Sequence, residues 1–292
     1  MTFHSGYIAI LGQPNVGKST LLNKIIGEPV AIVTPKPQTT RNRIVGILNR
    51  PEAQLVFCDT PGYHSVPKAI NQYMMGVIEN TIQDCDLFCL LIDADAEDLR
   101  RDQELWERLH GKDSLVIVNK TDLLTPQMRE QKAMELRDLL GLKELFFISA
   151  KTGDGVEELV RELETRLHEG EPFFPSDIYT ELPVRFMVAE AIREQAMLLL
   201  HQEIPYGIAV EVTDFEEKPQ ITVIKANIIV ERMSHKSMVI GSGGQMIKKI
   251  GTRAREKAEF LMGDQKVFLE LTVKVEEDWT RDAARMAQLG YS

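Results

Sequence analysis

The sequence predicts a mostly parallel α/β sheet with helices on both faces, followed by a smaller α+β domain. Three observations predict it. Buried-type apolar runs alternate with helical stretches from residue 7 to about 168. A segment with three prolines and no periodicity, EGEPFFPSDIYTELP at 169–183, interrupts that alternation. Beyond it the pattern changes to the order α-β-β-α-α-β. At 292 residues the chain also exceeds the usual size of one domain. The expected division is therefore 1–168, a linker at 169–183, and 184–292.

In the first domain, YIAIL, QLVFC, LFCLLID, SLVIVN and ELFFIS read as buried strands. KSTLLNKIIG, DQELWERLH, PQMREQKAMELRDLLG and VEELVRELETRL read as the helices among them. RNRIVGILNRPEAQLVFC departs from this order. It predicts two antiparallel strands around a short turn at Arg50-Pro51-Glu52. In the second domain VRFMVAEAIREQAMLLL is a helix, and IAVEVTDF and ITVIKANIIVE are strands. A short helix, SHKSMVI, then meets a glycine cluster, the long basic helix QMIKKIGTRAREKAEFLM and the strand VFLELTVKVEE. There are no internal repeats and no low-complexity tract.

Composition bounds the class. Hydrophobic residues make up 43% and charged residues 27%, as in an ordinary soluble globular protein. No apolar run is long enough to span a bilayer. The start, MTFHSGYIAIL, has no basic leader, so no signal peptide is expected. Cys58, Cys85 and Cys89 suit a reducing compartment and small core positions, since no second Cys/His pair exists to complete a metal site. The net charge of −10 is unevenly spread. Residues 1–182 hold 19 basic against 28 acidic side chains, and 183–292 hold 15 against 16. Within 232–257 seven basic residues face one acid, Glu256. The acidity belongs to the first domain and a basic patch belongs to the second.

Gly12-Gln13-Pro14-Asn15-Val16-Gly17-Lys18-Ser19-Thr20 is a complete G-x-x-x-x-G-K-[ST] pattern between a strand and a helix. Gly12 and Gly17 let backbone N–H groups point inward at phosphate oxygens, and the helix N-terminus adds partial positive charge. Lys18 neutralises the outer phosphates and Ser19 offers a hydroxyl to Mg²⁺. The pattern Asn119-Lys120-Thr121-Asp122 selects the base. The Asp122 carboxylate can accept from N1–H and the exocyclic amine of guanine, and adenine has neither donor on that edge. Asn119 can bridge back to the phosphate loop, and the Lys120 stem can cover the base. At Ser149-Ala150-Lys151 the Ala150 N–H can reach guanine O6. At Asp59-Thr60-Pro61-Gly62, Asp59 would hold Mg²⁺ through water and the Gly62 N–H would sense the γ-phosphate. Four motifs in this order, each at a strand end, predict binding of GTP and GDP with Mg²⁺.

These motifs resemble the translation-factor-related P-loop GTPases. With PQTTR at 37–41 they resemble the Era and Der branch. The resemblance implies a Mg²⁺-binding threonine before the arginine, hence Thr40, with its neighbour Thr39 as the alternative. Lys18, Thr40 and Gly62 are then the expected catalytic positions. The residue after D-x-x-G is Tyr63, where a water-orienting glutamine is common in small GTPases. Slow intrinsic hydrolysis follows. Asn15 matches a position that the branch links to a bound K⁺ ion.

The second glycine cluster is Ile240-Gly241-Ser242-Gly243-Gly244, followed by Ile247, Lys248, Lys249 and Arg253. A G-x-x-G turn between two helices can be a plain helix–helix connection. The basic cluster and the α-β-β-α-α-β order instead resemble a type II KH domain. Its bare backbone approaches nucleic-acid phosphates, and bases lie in an aliphatic groove beside Ile240 and Ile247. Ser242-Gly243 supplies no basic residue inside the turn, which should lessen the salt dependence of binding. GTPase plus KH resembles the Era family over nearly the full length. The resemblance implies single-stranded RNA at the 3′ end of the small-subunit (16S) ribosomal RNA, the 30S subunit and a role in its maturation. It also implies a cytoplasmic monomer with peripheral association with the inner face of the membrane, and Trp279 and Arg281 as RNA contacts.

Overall fold

The computed structural model describes residues 2–63, 69–142, 144–201 and 204–291. They form two compact units, and the division does not follow the linker alone. The first unit holds the described residues of 2–31, 40–63 and 74–181; the second holds 32–39, 69–73 and 182–291.

In the first unit the strands are β1 (His4–Gly12), β2 (Ile44–Asn49), β3 (Ala53–Asp59), β4 (Leu87–Asp93), β5 (Ser114–Asn119), β6 (Phe146–Phe147) and β7 (His168–Glu169). Their order is β2-β3-β1-β4-β5-β6, with β7 on β1. Pairing is parallel except for β2 against β3 and β7 against β1. The antiparallel pair closes at Arg50–Glu52, where the sequence places it. The helices are α1 (Lys18–Ile26), α2 (Ala69–Asp84), α3 (Arg100–Arg108), α4 (Pro126–Leu140) and α5 (Val156–Arg166). Five residues of α2, 69–73, belong to the second unit. The sheet is apolar on both faces because helices cover both, so Ile8, Ile10, Leu55, Phe57, Leu90 and Ile117 are all fully buried. The C-terminal ends of β1, β3 and β5 carry the P-loop, Asp59 and Asn119, so the parallel order brings three motifs to one edge.

The segment expected to be a linker is a strap on the first unit as far as Glu181. Gln54 accepts the Phe173 N–H at 2.7 Å and donates to the Phe174 carbonyl at 2.8 Å. The Ile47 N–H donates to the Tyr179 carbonyl at 2.8 Å, and Thr180 Oγ1 to the Val45 carbonyl at 2.6 Å. Each of these bonds has a main-chain group on at least one side and none follows a strand periodicity, which is why the sequence pattern is silent there.

The second unit contains α6 (Val184–Leu199), β8 (Ala209–Glu217), β9 (Thr222–Val230), α7 (Met233–Ile240), α8 (Gln245–Leu261), β10 (Val267–Val275) and α9 (Ala283–Gln288). The sheet order is β10-β9-β8, with β10 parallel to β9 and β8 antiparallel to it. Helices α6, α7 and α8 cover one face through Val188, Ile192, Ala196, Val239, Ile250 and Ala254. Small alanines on α6 and α8 allow close helix packing. A separate cluster joins Ile70, Ala209, Ile229, Trp279, Met286 and Tyr291.

Candidate functional site

The P-loop turn is built from left-handed backbone at Gly12 (φ +146°), Asn15 (+63°) and Gly17 (+99°). Gly17 is also the N-cap of α1 and has no side-chain cap, so the first N–H groups of the helix face the loop. Lys18 is buried, and its ammonium donates to the Gly12 and Gln13 carbonyls at 3.1 and 2.9 Å. Burial lowers its pKa to about 8 against the opposing pull of Asp59 and Asp102.

Three predicted cation ligands converge. Ser19 Oγ donates to Asp59 Oδ2 at 2.5 Å and lies 2.8 Å from Thr40 Oγ1. Thr40 Oγ1 donates to Asp59 Oδ2 at 3.4 Å. Asp59 Oδ1 is buried without a hydrogen-bond partner, and burial raises its carboxyl to about 6. One buried carboxylate oxygen and two hydroxyls suit a hard divalent cation completed by phosphate and water. Among the described residues there is no group of three or more His, Cys, Asp or Glu that could hold a metal. The geometry also separates the two threonines. The Thr39 hydroxyl bonds Thr34 Oγ1 at 2.7 Å and the Lys36 carbonyl at 2.6 Å.

The motifs expected to select the base are linked to each other. Asn119 Nδ2 donates to the Val16 carbonyl at 2.8 Å, the expected bridge to the phosphate loop. Its Oδ1 accepts the Ala150 N–H at 2.9 Å, so in this structure that N–H serves Asn119. Ser149 Oγ donates to Asp122 Oδ1 at 2.7 Å, leaving an exposed carboxylate aimed by one fixed bond. Lys120 pairs with Asp93 at 2.5 Å from a left-handed backbone (φ +69°). Thr121 and Asp122 continue into a 3₁₀ turn, and Lys151 is exposed. Thr60 Oγ1 donates to the Ile10 carbonyl at 2.8 Å. Thr20 lies within the first turn of α1, Pro61 is buried, and a Cβ added to Gly62 would lie 2.7 Å from Pro14. That close approach requires glycine.

Two contacts escaped the sequence reading. Gln13 Nε2 donates to Asp102 Oδ2 at 2.5 Å. Asp102, on α3, is 1% exposed, has a partnerless Oδ1, and is raised to about 6 by burial. The Arg108 guanidinium lies 5.4 Å from the centre of the buried Tyr63 ring. The Tyr63 side chain is thus part of the core, and its N–H donates to the Gly12 carbonyl at 3.1 Å. Helix α3 holds both phosphate-side segments, and no motif in its sequence announces it.

In the second unit, α7 ends at Gly241 (φ +73°), where a Cβ would lie 2.7 Å from Met246 Cβ. Gly243 and Gly244 are left-handed (φ +57° and +77°), and Ser242 and Gly243 are exposed. Gly244 caps α8 without a side-chain bond, so its first amides face outward. Lys248, Lys249 and Arg253 are exposed, and Ile240 and Ile247 are half-buried. An open groove runs between α8 and β10, lined by Ile247, Lys248, Gly251, Thr252, Arg255, Leu269 and Leu271. The four-residue spacing of 247, 251 and 255 and the alternation of 269 and 271 are the signals that could have found it. Arg281 is exposed. Trp279 is a correction: it is 1% exposed, and its indole N–H donates to the Gly207 carbonyl at 3.0 Å. Its large apolar ring is more favourably buried beside Tyr291 than presented to RNA.

Comparison with known proteins places both halves. The model of the 50S ribosome-binding GTPase family matches residues 7–120, and that of the KH domain matches 203–280. A curated relative, GTPase Era of Geotalea uraniireducens (strain Rf4), is 44% identical over 99% of this chain and 98% of its own length. The chain belongs to the Era family of GTPases. GTPase Era of Halothermothrix orenii is 39% identical over 100% and 99% of the two chains. Two solved Era structures superpose with TM-scores of 0.95 at 39% identity, each covering 99% of this chain. One is Era in complex with MgGDPNP and nucleotides 1506–1542 of 16S ribosomal RNA, covered over 99% of its length. The other is Aquifex aeolicus Era Y63A bound to GDP·AlF4−, covered over 100%. As an Era GTPase, the chain pairs a mostly parallel P-loop domain with a KH domain, and its first site is a GTP-hydrolysing one.

Proposed function

We propose that this protein is a GTP-driven switch that binds the single-stranded 3′ end of 16S ribosomal RNA and assists maturation of the small subunit. The observation that carries the first half is the convergence of Ser19, Thr40 and Asp59 on one point beside Lys18. Those three residues would hold Mg²⁺, which when bound neutralises charge on the β- and γ-phosphates. Lys18 exchanges two loop carbonyls for phosphate oxygens, and the Gly62 N–H reports the γ-phosphate. Asp122 recognises guanine by accepting two hydrogen bonds. No amide side chain stands at Tyr63 to orient water, so intrinsic hydrolysis is slow, and K⁺ held near Asn15 would supply compensating charge.

The second half rests on the exposed Gly241–Gly244 turn, the basic face of α8 and the groove to β10. A similar chain is solved with nucleotides 1506–1542 of 16S ribosomal RNA. Phosphates meet the bare backbone and Lys248, Lys249 and Arg253, while unstacked bases lie over Ile247, Leu269 and Leu271. We place its action at the 30S subunit in the cytoplasm, with any contact with the inner face of the membrane peripheral. Among the described residues no helix is long and apolar enough to cross a membrane.

The test is fluorescence anisotropy of a labelled 16S 3′-end oligonucleotide with the full chain, in Mg²⁺ with GDPNP or GDP. Tighter binding with GDPNP than with GDP, and than of a scrambled RNA, is expected. Equal and weak binding of all at moderate salt would leave a GTPase whose KH domain docks on protein.

A further inference from the structure

Residues 32–39, immediately before Thr40, lie in the second unit, where α6 holds them at three points. The Val33 N–H donates to Glu194 Oε1 at 3.0 Å. The Lys36 ammonium donates to the Met197 and Leu200 carbonyls. Those carbonyls lie at the C-terminal end of α6, where unpaired acceptors and the negative end of the helix dipole favour a cation. Arg193 Nη2 donates to the Thr39 carbonyl at 2.5 Å.

Arg193 is unusual in its burial. Its side chain is 1% exposed, yet it is fully engaged. Nε and Nη2 donate to Glu190 at 2.7 and 2.5 Å, and Nη1 lies 3.3 Å from Met197 Sδ. A desolvated guanidinium persists only when its fork is matched by acceptors, and one of the acceptors here is a loop carbonyl. That carbonyl belongs to the residue preceding the one whose hydroxyl meets Ser19 and Asp59. The Thr39 hydroxyl fixes the same short loop from inside, through Thr34 and Lys36. Glu194 also pairs, through Oε2, with Lys257 of α8 at 2.5 Å. The helix that grips the loop is therefore tied to the helix that follows the second glycine turn.

We propose that Arg193 is a positioning residue for the GTP-bound state: through the Thr39 carbonyl it sets the backbone at which Thr40 begins, and so the placing of the Thr40 hydroxyl. The proposal rests on the reading of Thr40 as a cation ligand. GDP lacks the γ-phosphate that this ligand accompanies, so Arg193 acts on GTP and not on GDP.

The test uses the full chain with Mg²⁺ and fluorescent GDPNP and GDP, comparing the wild type with Arg193→Lys, which keeps the charge but loses the fork. GDPNP affinity is expected to fall about tenfold, the size of one lost charged hydrogen bond, and to need more Mg²⁺, while GDP affinity stays within about twofold. An equal loss for both nucleotides, or no loss, overturns the proposal. Thr40→Ala is measured beside it. A selective loss in Arg193→Lys with none in Thr40→Ala overturns the route through Thr40. Hydrogen exchange on the unmodified protein covers the case in which the variant fails to fold. GDPNP, and not GDP, should protect segment 32–41 and α6 together; protection of the segment alone overturns the proposal. RNA binding by the wild type is scored separately, so failure of the RNA reading leaves this comparison standing.

Discussion

The proposed function gives two polyanions to two glycine turns, and the turns are built differently. The P-loop runs from a buried strand into α1, with Gly12 and Lys18 buried and its neighbours packed against it. The Gly241–Gly244 turn joins two helices, stands exposed and has open space around Gly243 and Gly244. The first is a socket in which position is decided by surrounding residues: Asn119, Asp102, Pro14 and the Asp59 group. The second would be a rail on which the bare backbone, Lys248, Lys249 and Arg253 act. A socket can select one nucleobase and one cation, because each polar group left unmatched in it is costly. A rail holds any strand of the right charge and shape, and leaves sequence choice to the groove beside it.

The sharpest way to break this comparison is Gly241→Asp with Gly244→Asp. Both glycines are left-handed, a Cβ at 241 collides with Met246, and each carboxylate repels phosphate. RNA affinity should fall by more than about a hundredfold, with GTP affinity within about twofold. A parallel loss of GTP binding, measured by nucleotide titration, would show that the turns are not separate devices. Next in size is the base. Asp122→Asn should shift preference from GTP towards xanthosine triphosphate by about a hundredfold, and unchanged guanine selectivity would contradict the socket reading.

A smaller effect concerns acid. Burial holds the Asp59 carboxyl near 6, so below that pH it is protonated and cannot serve as a cation ligand. The Mg²⁺-dependent part of GDPNP affinity should fall about tenfold per pH unit below 6, and the residual affinity without Mg²⁺ should fall less. The sign is opposite for folding without nucleotide: a carboxyl whose folded pKa is raised contributes more stability as pH falls from about 6 towards 4. Between pH 6 and 4 this group should raise the denaturant midpoint of the free protein, and with saturating MgGDPNP, where the carboxyl is ionised as in the unfolded chain, the midpoint should stay nearly level. Smallest is the choice of monovalent ion. Hydrolysis should run faster in KCl than in NaCl, and Asn15→Asp should remove the difference. Equal rates in the two salts would end the case for K⁺ beside the exposed Asn15.

The P-loop, Asp59, Asn119, Ser149 and the second glycine turn were all legible because each is a local device. A glycine spacing, a strand before it and a helix after it are enough to set the backbone that does the work. The loop carrying Thr39 and Thr40 was legible only as a pair of neighbours, since both have the same chemistry and only the fold turns one hydroxyl to Ser19. Residues 169–183 read as a free connection because their bonds to Gln54, Ile47 and Val45, most of them through main chain, carry no periodic pattern. Trp279 read as an RNA contact on the family resemblance, whereas it fills a cluster with Tyr291 and Ile229.

By itself, then, the amino-acid order determined the α/β and α+β halves, the guanine nucleotide and the place of the two glycine turns. Backbone torsions, strand ends and helix starts are set by residues within a few positions of one another. Only the tertiary structure decided that Asp102 holds Gln13, that Arg193 holds Thr39, and that residues 32–39 belong with the second unit. Those partners lie 89 and 154 positions apart, and nothing in a side chain's identity names a partner at that distance until packing brings the two together.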